Sequence, residues 1–152
     1  NYVPDNIYIK WPNDIYAGDR KAGGILIENI IRGNIWQFAI VGVGLNINQD
    51  VFDAALPNPV SLKQLTGKDH DVIEMAMELC NCLDYRYNQL ITAGFGIMLQ
   101  QYNAVLYKKE ALVELRKGNV VSSHVIKGVN ALGQLETEQQ VFDFGEVEWL
   151  LR

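Results

Sequence analysis

The chain has 152 residues, 49% hydrophobic and 20% charged, with a mean hydropathy of -0.02. That composition suits one core, or one domain with a small module. Thirteen Lys and Arg against 18 Asp and Glu give a net charge of -5, which lacks the basic footprint of a sequence-independent nucleic-acid binder. No window approaches the 18 or so uninterrupted apolar residues of a membrane helix. Cys80 and Cys82, with His70 and His124, make neither a disulfide framework nor a convincing zinc site. No charged-then-apolar leader opens the chain, so it reads as cytosolic, a cytoplasmic protein. The absence of an initiator Met, with Asn1–Asp5 leading at once into a dense polar motif, suggests the C-terminal part of something longer, or a trimmed chain.

Ile7 to Lys10 alternate apolar and polar, as a half-buried strand does. Trp11-Pro12 ends it and Pro12-Asn13-Asp14 has turn chemistry. Ile15-Tyr16 is a short strand before the tight connection Ala17–Arg20. Gly24–Ile31 is a second strand, rich in β-branched residues. Ile35–Asn48 is a third, interrupted by Gly42 and Gly44, and the Gly33-Asn34 break between them reads as an antiparallel hairpin. Gln49–Lys68 reads as loop. The stripe of Val72, Met75, Leu79, Leu83, Tyr87 and Leu90 predicts an amphipathic helix, with Asp71 and Glu74 as a capping pair and Gly94 as a stop. A second helix spans about Ile97–Leu106. Five short strands then follow, 112–116, 120–127, 133–138, 141–144 and 147–151, and predict a small all-β barrel. The pattern changes near Lys109.

Charge is uneven along the chain. Residues 1–48 hold four basic and four acidic side chains, so the remaining 104 carry the whole -5. An anion is therefore repelled less by the first segment than by the rest.

Two clusters there could carry chemistry. Lys10-Trp11-Pro12-Asn13-Asp14 delivers Lys, Asn and Asp to one turn, and Lys21-Ala22-Gly23-Gly24 returns a Lys beside two glycines. Such a pocket suits phosphate or carboxylate, with the glycines allowing close backbone approach; the plain alternative is a solvated turn. Val41-Gly42-Val43-Gly44-Leu45-Asn46-Ile47-Asn48 lacks the third glycine and the Lys-Ser/Thr of a phosphate loop. Its glycines mark a bend or the close approach of something flat, and Asn46 and Asn48 can read a base edge. The alternative is a bulged strand ending in a polar turn.

Taken jointly, KWPND, DRKAGGILIE and VGVGLNIN, in that order, resemble the biotin protein ligases. Lys127–Asn130, Gly133-Gln134-Leu135 and Gly145-Glu146-Val147 resemble that family's SH3-like C-terminal domain. The likeness covers nearly the whole chain and is weakest over Asp69–Lys109. It implies an α/β (α+β) fold in which 1–109 is the C-terminal portion of the catalytic domain, a mixed or antiparallel sheet with flanking helices, and 110–152 is a small SH3-like β-barrel.

The activity implied is ATP-dependent activation of biotin to biotinyl-5′-AMP, then transfer to a lysine of a biotin carboxyl carrier protein. The resemblance places Lys21 at the biotinyl carbonyl and phosphate, and Lys10 at the opposite wall. Asn13 and Asn46 face the adenine, with Trp11 and Asn48 also at the substrate or nucleotide. Gly23, Gly24, Gly42 and Gly44 shape the floor, and Asp14 orients the attacking amine. Mg2+ enters with ATP, and no residue is assigned to a metal. A homodimer through the central sheet, using the Gly24–Asn48 hairpin, is a further implication. No membrane or nucleic-acid partner is implied for this segment.

The family's Gly/Arg-rich loop and its Ser/Thr-Asn biotin segment lie upstream of KWPND and are not in these residues, so the fragment alone is expected to be inactive, with GILIENII and FAIVGVGL uncovered. Two other readings stand beside this one: a lipoate or octanoyl ligase of the same fold, and a non-catalytic binding or assembly module. Cys80 and Cys82 read as core fillers. Trp11, Trp36 and Trp149 suit packing better than a binding cage, and His124 beside Ser122 and Ser123 has no acid partner in view.

Overall fold

The computed structural model describes residues 6–150. Asn1–Asp5, read above as a lead-in, and Leu151, the end of the last expected strand, lie outside the described residues. Strands β1 (Ile7–Lys10), β2 (Asp14–Ala17), β3 (Arg20–Arg32) and β4 (Ile35–Leu45) form a four-stranded sheet in chain order. The expected hairpin is present: β3 and β4 pair from Gly23↔Leu45 to Arg32↔Ile35, closing on Gly33 at φ +60, where a two-residue turn needs a residue free to take positive φ. β3 begins earlier than its apolar run because Arg20–Gly24 pair with β2. β4 stops short of Asn48, since both amide atoms of that side chain bond the backbone of His70.

Residues 49–68 are not all loop. Helix α1 (Leu62–Thr66) has a reciprocal cap between Ser61 and Gln64, and Gly67 closes it at φ +75. Helix α2 (Val72–Ala93) follows, and the Asp71 carboxylate accepts from the N–H groups of Ile73 and Glu74 at 2.8 and 3.0 Å, the acceptor half of the expected capping pair. In its apolar stripe Val72, Leu83 and Tyr87 are exposed and Met75, Leu79 and Leu90 half-buried, none of them fully buried. Cys80 and Cys82 are exposed as well, which corrects their reading as core fillers. Helix α3 spans Phe95–Ala104.

Strands β5 (Leu112–Lys117), β6 (Val120–Val129), β7 (Leu135–Thr137), β8 (Val141–Phe142) and β9 (Glu148–Trp149) form a second antiparallel sheet, ordered β8-β7-β6-β5-β9. Its core holds Leu115, Ile126, Leu135, Phe142 and Trp149. A closed barrel was expected here. Among the described residues no ladder joins β8 to β9, and two residues each leave these edge strands little backbone to close with. His124 is buried in this sheet, bonded to Ser122 at 2.8 Å and to Gln139 at 3.1 Å.

The chain divides into two compact units. The described residues up to Ile9, with Asn13–Met75, make the first; Lys10–Pro12, with the described residues from Ala76 on, make the second. The sequence pattern changes near Lys109, whereas the contacts divide the chain after Met75.

In the first unit the β3–β4 hairpin is apolar on both sides. Cross-strand register puts Leu26, Ile30, Phe38 and Ile40 on one face, and Ile27, Val41, Ile31 and Trp36 on the other. All eight are exposed, Phe38 to 60% and Trp36 to 56%. A ribbon with one wet face would alternate apolar with polar; this one has the composition of a middle layer.

Candidate active site

In the first unit the site is built where β2, β3 and the end of β4 meet. Asp14 opposes Gly24 across the β2–β3 ladder. From there its Oδ1 reaches Nζ of Lys21 at 2.6 Å, with the Lys side chain 41% exposed and the Asp 17%. One ammonium and one carboxylate thus sit together at a partly wet surface, where an anionic ligand can compete for the cation.

Lys21 is held from behind. Its N–H donates to the Asn58 carbonyl at 2.9 Å, and its own carbonyl accepts from Val60 N–H at 2.8 Å and from Asn46 Nδ2 at 3.3 Å. Arg20 bonds the Pro59 carbonyl at 2.7 Å. Val60 and Ser61 are fully buried, so the segment 58–61 forms a fixed wall. Sequence reasoning passed over these residues. The Ser61–Gln64–Gly67 cap signature was the signal that this stretch has structure.

The other first-unit candidates gather nearby, with part of their polar capacity already used. Asn13 Nδ2 donates to the Ile25 carbonyl at 2.9 Å. Asn46 N–H donates to the Ala22 carbonyl at 2.8 Å, and its side chain holds Lys21. Asn48 is committed to His70. Only one of the four glycines is required sterically: a Cβ on Gly23 would stand 2.4 Å from the Gly44 carbonyl oxygen. A Cβ on Gly24 would meet Asp14 Oδ1 at 3.3 Å, whereas those on Gly42 and Gly44 would make ordinary contacts. Tyr16 is buried, and burial, with the Asp14 charge second, pushes its phenol above the usual range. Among the described residues no three His, Cys, Asp or Glu side chains gather to hold a metal ion.

Lys10 and Trp11 belong to the second unit. Trp11 is 2% exposed, and its indole N–H donates to the Gly133 carbonyl at 2.8 Å. Lys10 Nζ lies over the Trp149 ring, 5.7 Å from its centre. The Pro12 carbonyl accepts from the Tyr102 hydroxyl at 3.4 Å.

Burial raises the Tyr102 phenol from 10.0 to about 12. A folded-state value above the unfolded one means a contribution that is whole below pH 10 and lost as pH climbs toward 12. The melting temperature should therefore fall across that window, and the fall should be shallower for Tyr102→Phe. Superimposable alkaline profiles for the two proteins would remove Tyr102 as a cause.

Residues 2–46 match the Biotin/lipoate A/B protein ligase family. The chain is 34% identical over 90 residues to the bifunctional ligase/repressor BirA of Bacillus spizizenii, a match covering 57% of this chain and 28% of that protein. It is 28% identical over 131 residues to the biotin–[acetyl-CoA-carboxylase] ligase of Paracoccus denitrificans, covering 84% of this chain and 55% of that one. The chain thus spans between about a quarter and just over half the length of these curated relatives. Its fold resembles the biotin protein ligase of Aquifex aeolicus, with a TM-score of 0.76 at 22% identity over 97% of this chain and 65% of that one. The same protein, solved in complex with biotin and ATP, gives a TM-score of 0.69 at 20% identity, covering 96% of this chain and 59% of that one. No described helix is long and apolar enough to cross a membrane. Residues 2–46 thus carry the match to the Biotin/lipoate A/B protein ligase family, and the fold is that of the Aquifex biotin protein ligase.

Proposed function

We propose that the chain is the C-terminal portion of a ligase that uses ATP to activate biotin as biotinyl-5′-AMP and then transfers biotin to a lysine of a carrier protein in the cytoplasm. The observation that carries this reading is the Lys21–Asp14 pair, 2.6 Å apart on a braced strand beside Gly23 and Gly24, in the segment matched by the family. The named relatives are biotin ligases, which favours biotin over lipoate and an enzyme over an inert module. In this reading 1–109 belongs to the catalytic domain and 110–152 is the C-terminal domain.

In the first step the biotin carboxylate attacks the α-phosphorus of ATP and pyrophosphate leaves. Two anions must approach each other, so a fixed cation lowers the barrier. Lys21 supplies it, exchanging Asp14 for the incoming oxygens, and Lys10 adds a second positive charge. Asn13, Asn46 and Asn48 border the adenine, with Gly42 and Gly44 on the floor. Mg2+, if it accompanies ATP, would be carried by the nucleotide rather than by a residue of this chain and would lessen the phosphate charge.

In the second step the carrier amine attacks the biotinyl carbonyl and AMP leaves. A lysine amine is almost wholly protonated at pH 7. Asp14, released from Lys21 by the adenylate, orients the ammonium and receives its proton. Asp14→Asn should therefore slow transfer more than adenylation in single-turnover assays begun with preformed biotinyl-AMP. Unchanged transfer with collapsed adenylation would move Asp14 to the ATP site.

A further inference from the structure

Ser122, His124 and Ile126 share one face of β6, because side chains alternate along a strand. They descend from rim to core: Ser122 is exposed, His124 is 3% exposed and Ile126 is fully buried. The ladder with β7 begins only at Ile126↔Thr137, so His124 is met instead by the turn that follows β7. That turn is braced. Glu138 N–H donates to the Val125 carbonyl at 3.1 Å, and Thr137 N–H donates to the Gln140 carbonyl at 3.0 Å. The Phe142 ring stands edge-on to the imidazole, with 5.2 Å between ring centres.

The hydrogen bonds decide which ring nitrogen carries the proton. Nδ1 faces Gln139 Oε1 at 3.1 Å and Thr137 Oγ1 at 3.3 Å. The amide oxygen has no proton to give, and the Thr137 hydroxyl spends its own on the Gln140 carbonyl at 2.8 Å. Both can only accept, so Nδ1 is the N–H of the neutral ring. Nε2 then presents its lone pair, and the Ser122 hydroxyl, 2.8 Å away, donates to it. A hydroxyl resting on a base, with the base oriented by a third group, is the arrangement of an activated nucleophile. The sequence shows no acid for His124; the structure supplies an amide in its place, 15 residues on.

We propose that Ser122 is a site of acylation, taking acyl groups from small activated esters and acyl-phosphate anhydrides with His124 as its base. Ser122 Oγ attacks the acyl carbonyl carbon while its proton passes to His124 Nε2. The bond from that carbon to the leaving oxygen then breaks, and the imidazolium returns the proton to the leaving group. The products are a serine ester and a free phenol, alcohol or phosphate, with no further reactant. Gln139 and Thr137 hold the imidazole and are positioning residues. No residue of the ligase mechanism takes part, so the proposal stands apart from that reading.

The test treats the whole chain with p-nitrophenyl acetate at neutral pH and maps acetyl groups by peptide mass spectrometry. Neutral hydroxylamine strips serine esters and leaves lysine amides, so mapping before and after it separates the two. Ser123, the next residue and also exposed, is the internal reference. Ser122 should gain hydroxylamine-labile acetyl at least about 100-fold faster than Ser123, the lower end of what a positioned base contributes. His124→Gln should bring Ser122 down to the Ser123 rate, and Ser122→Ala should remove the fast labile acetyl. A second reading needs no substitution and so survives a variant that folds poorly. The nitrogen chemical shifts of the His124 ring in the original chain should place the proton on Nδ1. Equal labelling of the two serines, fast labelling that survives His124→Gln, or a proton on Nε2 with Nδ1 bare would each overturn the proposal.

Discussion

Lys21→Ala should lower biotin-dependent ATP–pyrophosphate exchange at least about 100-fold, or ~2.7 kcal/mol, the usual scale for losing one preorganised stabiliser. The assay is run on the whole ligase that the proposed function implies, with the substitution made in this chain. Three observations argue for an effect of that size. The Lys21 backbone is bonded on both sides to Asn58 and Val60, so the side chain starts from a fixed point. Its ammonium is partly exposed and paired with Asp14, so an arriving anion can capture it. Removing it also leaves the Asp14 carboxylate facing the phosphates, converting attraction into repulsion. Lys21→Arg should restore little, because a planar fork does not reproduce a compact point charge. Near-normal exchange by Lys21→Ala would take this residue out of the mechanism.

Gly23→Ala and Gly24→Ala should separate stability from chemistry, although the two glycines are neighbours. A methyl on Gly23 meets the Gly44 carbonyl oxygen at 2.4 Å, Leu45 Cδ2 at 2.7 Å and Leu45 Cα at 3.2 Å. Two of those atoms are backbone of the strand paired with it, so the β3–β4 ladder must part. The expected cost is about 1–3 kcal/mol or somewhat more, seen as a lower midpoint in chemical denaturation. A methyl on Gly24 meets chiefly Asp14 Oδ1, at 3.3 Å, and a side chain can yield by a few tenths of an ångström. Gly24→Ala should thus denature close to the original chain but weaken the Asp14–Lys21 pair and the steps that use it. The reverse ranking of midpoints would show that the ladder absorbs the first methyl and that Asp14 does not absorb the second.

Local features were legible in the sequence, and features closed by distant partners were not. Gly33-Asn34 between two β-branched runs named the hairpin, because turn and strands lie within one stretch of chain. Asp71 and the stripe after it named α2, although the stripe promised burial that the described residues do not supply. Five residues are too few to show a period, so α1 was visible only through its caps. Asn46-Ile47-Asn48 continue the alternation of β4 and therefore read as strand; His70, 22 residues on, draws the Asn48 side chain away. At the site, KWPND and RKAGG are close in sequence and could be read together. The wall at 58–61 and the Gly133 carbonyl that receives Trp11 could not, since the latter lies 122 residues away.

The ribbon of β3 and β4, apolar on both faces, has a thermal consequence. Exposed aliphatic and aromatic surface raises heat capacity, and removing it from water lowers heat capacity. Whatever covers Phe38 on one face and Trp36 on the other will do so with a negative heat-capacity change. Such an association is driven largely by water entropy near room temperature and loses strength on cooling. Preparations of the chain should therefore change their state of association between the cold room and the bench, and a calorimeter should register a heat of covering that grows more exothermic as temperature rises.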